Sequence, residues 1–85
     1  NTVMAVKTLQ ISKPEEIAEI ILVQRKRSGL SRNELALLAG VSRTAIFDIE
    51  HGKRTYQIDT LLKILSTLSL KLQIDGVLSG DKVYE

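Results

Sequence analysis

The 85-residue sequence holds no cysteine and only one histidine, His51. The first absence removes any disulfide framework, thiolate metal site or thiol nucleophile. The second argues against a multi-histidine zinc site, and no cofactor is expected. No apolar run approaches the roughly 18 residues of a membrane span, so no membrane contact is expected. The first residues lack the charged-then-apolar order of a signal peptide, which makes the cytoplasm the expected location. Catalysis is not expected either. Ser42 and His51 stand roughly two and a half helical turns apart, beyond hydrogen-bond reach of one another.

What is present is a modest excess of positive charge, unevenly spread. The net charge is +2, but between Gln24 and Arg54 seven basic residues face three acidic ones, a surplus of +4. The flanks together carry −2. A basic surplus gathered in one segment is the footprint expected of a nucleic-acid face, although on its own it also describes a solvated surface. Apolar residues make up 44% of the chain, enough for one small folded domain. A domain of this size is marginal alone and gains from oligomerisation.

The pattern along the chain reads as helices. Pro14 suits a first helical turn, and Glu15, Glu16 and Glu19 suit the positive end of the helix dipole. Ile17, Ile20, Ile21 and Gln24 form the inward stripe, and Gly29 stops the helix. Ser31 and Glu34 make an S-x-x-E capping box that opens a second helix, with Leu35, Leu38 and Ala39 expected in the core. Gly40 turns the chain, and Ser42 caps a third helix with Ala45, Ile46 and Ile49 buried. After Gly52 and a polar loop, 59–68 reads as a fourth helix whose bulk comes from Leu61, Leu62, Ile64, Leu65 and Leu68. Leu70, Leu72 and Ile74 then alternate with Lys71, Gln73 and Asp75, the period of a half-buried strand.

The expected organisation is an N-terminal arm over 1–11, with a short strand there. A helical DNA-binding domain follows over 12–68, then a dimerisation strand over 69–76 and a flexible tail over 77–85. A lone strand needs a partner for its backbone groups. The N-terminal segment is one candidate. The matching strand of a second copy is the favoured one, because a twofold reader fits symmetric operators.

Two short helices joined by Ala39-Gly40-Val41, each opened by a serine, have the layout of a helix-turn-helix. The early outward face of its second helix presents Ser42, Arg43, Thr44, Phe47 and Asp48 as base readers. Arg43 can bind guanine O6 and N7 in bidentate fashion, and Thr44 can donate to a base or touch a thymine methyl. Phe47 falls off the buried stripe and is expected on thymine methyls, the alternative being packing on a neighbouring helix. Asp48 accepts from cytosine N4, orients Arg43, or is simply solvated. Phosphate contacts are expected from the helix openings at Ser31 and Ser42 and from Arg32, Lys53, Arg54 and Arg27.

The run S-R-N-E-L-A-x-x-A-G-V-S-x-x-x-I-x-x-I-E-x-G resembles the Xre family of phage-repressor and Cro-type helix-turn-helix proteins. K-P-E-E-I-A, D-T-L-L-K-I-L and L-K-L-Q-I make the HipB-like antitoxins the nearest likeness within it. The likeness covers 12–75. It implies an all-α, lambda-repressor-like domain of four helices, plus a C-terminal strand that pairs across a dimer through Leu70, Leu72 and Ile74. It implies a homodimeric repressor that binds a double-stranded DNA operator and restrains a HipA-type serine/threonine kinase toxin. The alternative is a phage or operon repressor without a toxin. The family often pairs a first-helix Arg with the Glu before the closing Gly, here Arg25 and Glu50. The family usually has Gln or Thr at the place of Arg32, and many members have a fifth helix where this chain has the strand pattern.

Independently of the resemblance, Glu50 sits late in its helix, where a carboxylate opposes the dipole. A buried bidentate partner in Arg25 accounts for its presence, the alternative being an exposed pair of little weight.

Overall fold

Four helices, α1 (Pro14–Arg27), α2 (Arg32–Ala39), α3 (Arg43–Glu50) and α4 (Ile58–Thr67), make up the computed structural model, which describes residues 8–76. Each boundary has a local cause. Pro14 occupies the first turn of α1, and the Glu16 carboxylate accepts from the backbone N–H groups of Ser12 at 2.6 Å and Lys13 at 3.2 Å. Those two bonds, Ser12 first, hold the Glu16 carboxyl below its usual range. The α2 capping box is complete. Ser31 Oγ accepts from the Glu34 N–H at 3.0 Å, and the Glu34 carboxylate accepts from the Ser31 N–H at 2.8 Å. Gly40, at φ 73°, ends α2 in the left-handed region and donates to the Ala36 carbonyl at 2.9 Å. Two residues later Ser42 Oγ accepts from the Ala45 N–H at 3.0 Å and starts α3.

The core gathers one stripe from each helix. Ile21 comes from α1, Leu35 and Ala36 from α2, and Ile46 and Ile49 from α3. Leu61, Ile64 and Leu65 of α4 complete it, with Leu68 just beyond. α2 packs on both α3 and α4, and α1 packs on α3. Two expected core residues lie outside. Leu38 is 65% exposed and Leu62 is 45% exposed. A helix advances about 100° per residue. The buried face of α2 centres between Leu35 and Ala36 and takes in Ala39, so Leu38 falls beyond its edge. Leu62 stands about 100° from Leu61, off the stripe that Leu61, Ile64, Leu65 and Leu68 share.

The expected C-terminal strand does not form within the single chain. The described residues contain no strand, and the fold among them is all-helical. After α4 the chain turns at Ser69, a non-glycine residue at φ 61°, and the Leu70 N–H closes on the Leu65 carbonyl at 2.8 Å. Leu70 packs against the core, while Leu72 and Ile74 are 52% and 81% exposed. A strand exists only through its ladder, and no described segment runs beside 70–75. Most of the N-terminal arm (1–7) and the tail (77–85) lie outside the described residues, and 8–11 form no strand. No helix among the described residues is long and apolar enough to cross a membrane.

Candidate nucleic-acid interface

α3 divides its side chains cleanly. Ile46, Ile49 and Glu50 are buried, whereas Ser42, Arg43, Thr44 and Phe47 are exposed and Asp48 is half-buried. All five residues expected to read bases therefore lie off the buried face. Arg43 makes no ion pair among the described residues, so its guanidinium is available to an outside acceptor. Ser42 Oγ is committed as a cap acceptor but keeps its proton to donate. The Asp48 carboxylate lies 3.7 Å from Lys53 Nζ rather than orienting Arg43. Beside these residues runs a shallow cleft of about 240 Å³, lined by Ser42, Thr44, Asp48, Lys53, Tyr56 and Thr60.

Behind the exposed face stands a buried charge cluster. Arg25 follows Ile21 by one helical turn and so points inward from α1. Its Nε donates to Glu50 Oε2 at 2.7 Å and its Nη2 to Oε1 at 3.1 Å, while Nη1 donates to the Leu30 carbonyl at 2.9 Å. The Glu50 side chain is 1% exposed. Arg32, at the start of α2, adds a third bond, Nε to Glu50 Oε1 at 2.9 Å. One carboxylate thus ties three helices together and fixes the angle at which α3 leaves the body. No buried side-chain polar atom among the described residues lacks a partner. Two guanidinium groups against one carboxylate leave a net +1, carried by the more exposed Arg32.

The charge state of Glu50 follows from this geometry. Burial alone pushes its carboxyl up, but the hydrogen bonds from Arg25 and then Arg32 outweigh burial and hold it below the usual range. A group held low when folded contributes stability that is complete above its unfolded value, about 4.3, and is lost as pH falls through its folded value. Urea midpoints should therefore stay level above about pH 5 and fall below about pH 4.3. Glu50→Gln should reduce that acid-side slope and leave the share due to Glu16. An unchanged slope would assign the effect elsewhere.

The remaining cations are placed as follows. Arg54 is exposed, and its Nη2 donates to Glu15 Oε2 at 2.8 Å, a surface pair with the start of α1. Lys53 stands next to it on the loop after α3, and Arg27 is exposed in the last turn of α1. Ser31 and Ser42 both serve as helix caps.

Three features go beyond what the sequence led us to expect. The Arg32–Glu50 bond spans 18 positions and has no local signature. The Arg54–Glu15 pair spans 39 positions and has none either. The stacking of His51 on Phe47, at 3.9 Å between ring centroids, follows the i, i+4 spacing of a helix and is the one with a readable signal.

Residues 21–74 match the helix-turn-helix family HTH_3. An uncharacterized HTH-type transcriptional regulator of Sinorhizobium fredii, y4mF, is 38% identical over 65 residues, covering 76% of this chain and 86% of that protein. Among solved structures, a chain of the HipA-HipB-O2-O3 complex is 24% identical. It covers 84% of this chain and 100% of that chain at a TM-score of 0.74, which shows a shared fold. The restriction-modification controller protein C.AhdI from Aeromonas hydrophila is 26% identical, covering 68% of this chain and 88% of that chain at a TM-score of 0.63.

Proposed function

Because the chain belongs to the HTH_3 helix-turn-helix family of DNA-binding transcriptional regulators, we propose that it is a sequence-specific repressor that lays α3 in the major groove. The observation that carries this reading is the division of α3, with a cluster of polar side chains outside and Ile46, Ile49 and Glu50 locked inside. Ser42, Arg43, Thr44, Phe47 and Asp48 read base edges. Ser31, Arg32, Lys53, Arg54 and Arg27 meet phosphates at the groove margins, Arg54 by exchanging its exposed bond to Glu15 for one to the duplex.

The repressor acts as a homodimer. Residues 70–75 alternate Leu70, Leu72 and Ile74 with polar residues, and 71–75 make no backbone hydrogen bond among the described residues, so a second copy completes the ladder there about a twofold axis. The two α3 helices then stand about one DNA turn apart. By its likeness in fold to HipB, the dimer also serves as the antitoxin of an operon that encodes a HipA-type kinase, which it restrains. The likeness to C.AhdI favours a second reading, an operon regulator without a toxin. Co-purification with the product of an adjacent kinase gene separates the two.

An electrophoretic shift with the promoter upstream of the gene tests the DNA-binding role. A specific shift is expected, with log affinity falling against log salt at a slope of roughly −5 to −7 if each protomer neutralises three or four phosphates. Failure to shift any duplex in dilute buffer would end the proposal.

A further inference from the structure

Phe47 is 46% exposed, yet its ring has two close neighbours. The His51 imidazole stacks on it with an interplanar angle of 24°. The Arg32 guanidinium carbon lies 5.4 Å from the ring centroid. Both neighbours are themselves tied down. His51 Nδ1 lies 2.7 Å from the Phe47 carbonyl oxygen, which can only accept, so Nδ1 carries the proton. Arg32 Nε is bound to the buried Glu50 carboxylate, and through Glu50 the cluster reaches Arg25 and the core. The Nη atoms of Arg32 make no hydrogen bond among the described residues.

We infer that Arg32 and His51 are positioning residues that fix the Phe47 ring against one base step of the operator. They thereby determine specificity from outside the row of base readers. The inference rests on the proposed base-reading role of α3. A phenyl ring has no donor or acceptor, so it recognises a thymine methyl by shape alone, and shape discrimination requires a ring that does not swing. Arg32 meets two demands at once. Its Nε and planar carbon are engaged with Glu50 and Phe47, and its Nη atoms remain for a phosphate oxygen. Backbone contact and base contact are therefore coupled through one side chain.

The test begins with a duplex selected by the wild-type protein from a random library. Affinity is then measured for that duplex and for its single-base variants. Phe47→Ala identifies the base pair whose discrimination depends on the ring. Arg32→Lys keeps the charge and loses the planar group. It should retain the salt slope while discrimination at that pair falls about three- to thirtyfold, with discrimination at the Arg43 pair intact. His51→Ala, an exposed change, should lower discrimination at the same pair. It carries the test alone if Arg32→Lys does not fold. In the Phe47→Ala background neither substitution should alter that pair further.

Uniform weakening of every duplex by Arg32→Lys, with full discrimination and additive double variants, would make Arg32 a phosphate clamp only. A wild-type protein that selects a sequence, combined with Phe47→Ala that discriminates as well as wild type, would sink this inference and leave the α3 reading standing. Selection of no sequence at all would remove both.

Discussion

Arg25→Ala should lower stability by about 3 kcal/mol, roughly 12–24 °C in melting temperature for a domain of this size. Lys26→Ala, one residue along and exposed, should stay within about 0.5 kcal/mol of wild type. The difference lies in what each substitution leaves behind. Removing Arg25 strips two hydrogen bonds from a carboxylate whose side chain is 1% exposed, and it also leaves the Leu30 carbonyl without its side-chain donor. Arg32 remains on Glu50 Oε1, which keeps the loss near the lower end of what a broken buried pair costs. Thermal unfolding followed by circular dichroism at one fixed protein concentration measures it, since any dimer links stability to concentration. Equal, small shifts for both variants would show that the buried pair contributes no more than a surface one.

Arg43→Ala should leave the melting temperature unchanged and cost DNA binding about 1–3 kcal/mol at each half-site, so roughly 2–6 kcal/mol for a dimer. The side chain is exposed and holds nothing in the fold, which keeps stability out of the comparison. The loss should concentrate at one base position, where wild type prefers guanine and the variant is indifferent. Arg54→Ala provides the contrast. It should weaken all duplexes alike and lower the salt slope by about 1 for each phosphate no longer neutralised. Fluorescence anisotropy against a panel of single-base variants reads both effects. If Arg43→Ala lowered affinity for the whole panel equally, Arg43 would be a phosphate ligand and not a reader.

The helix-turn-helix is legible because its signals are local. Ser31 and Glu34 cap each other across three positions, Gly40 supplies the left-handed turn, and Ser42 caps its own helix. Arg25 and Glu50 stand far apart in sequence. That pair is reached only through a resemblance and through a carboxylate at the wrong end of a dipole. In sequence Arg32 reads only as a phosphate ligand, and nothing within a few residues of it shows that Glu50 has room for a second guanidinium.

Leu38 and Leu62 mislead because an apolar residue beside a stripe looks like part of it until the facing helix fixes the centre of the buried face. The alternation from Leu70 to Ile74 describes a segment suited to a ladder, but the ladder itself needs a second strand. Ser69 adopts a backbone conformation for which a glycine would have been the readable signal.

The clamp on Glu50 has a consequence for how such proteins diverge. Arg25 and Glu50, which set the pitch of α3, are on its hidden side, and 43, 44 and 48 are on the other, while Arg32 and Ser42 belong to both. Substitutions at 43, 44 and 48 can therefore accumulate without refolding the scaffold, so a duplicated copy can acquire a new promoter while keeping its architecture. Position 47 is the exception. A change there strands the side chains that flank it, and a lineage that abandons the phenyl group should be found to have altered 32 or 51 as well.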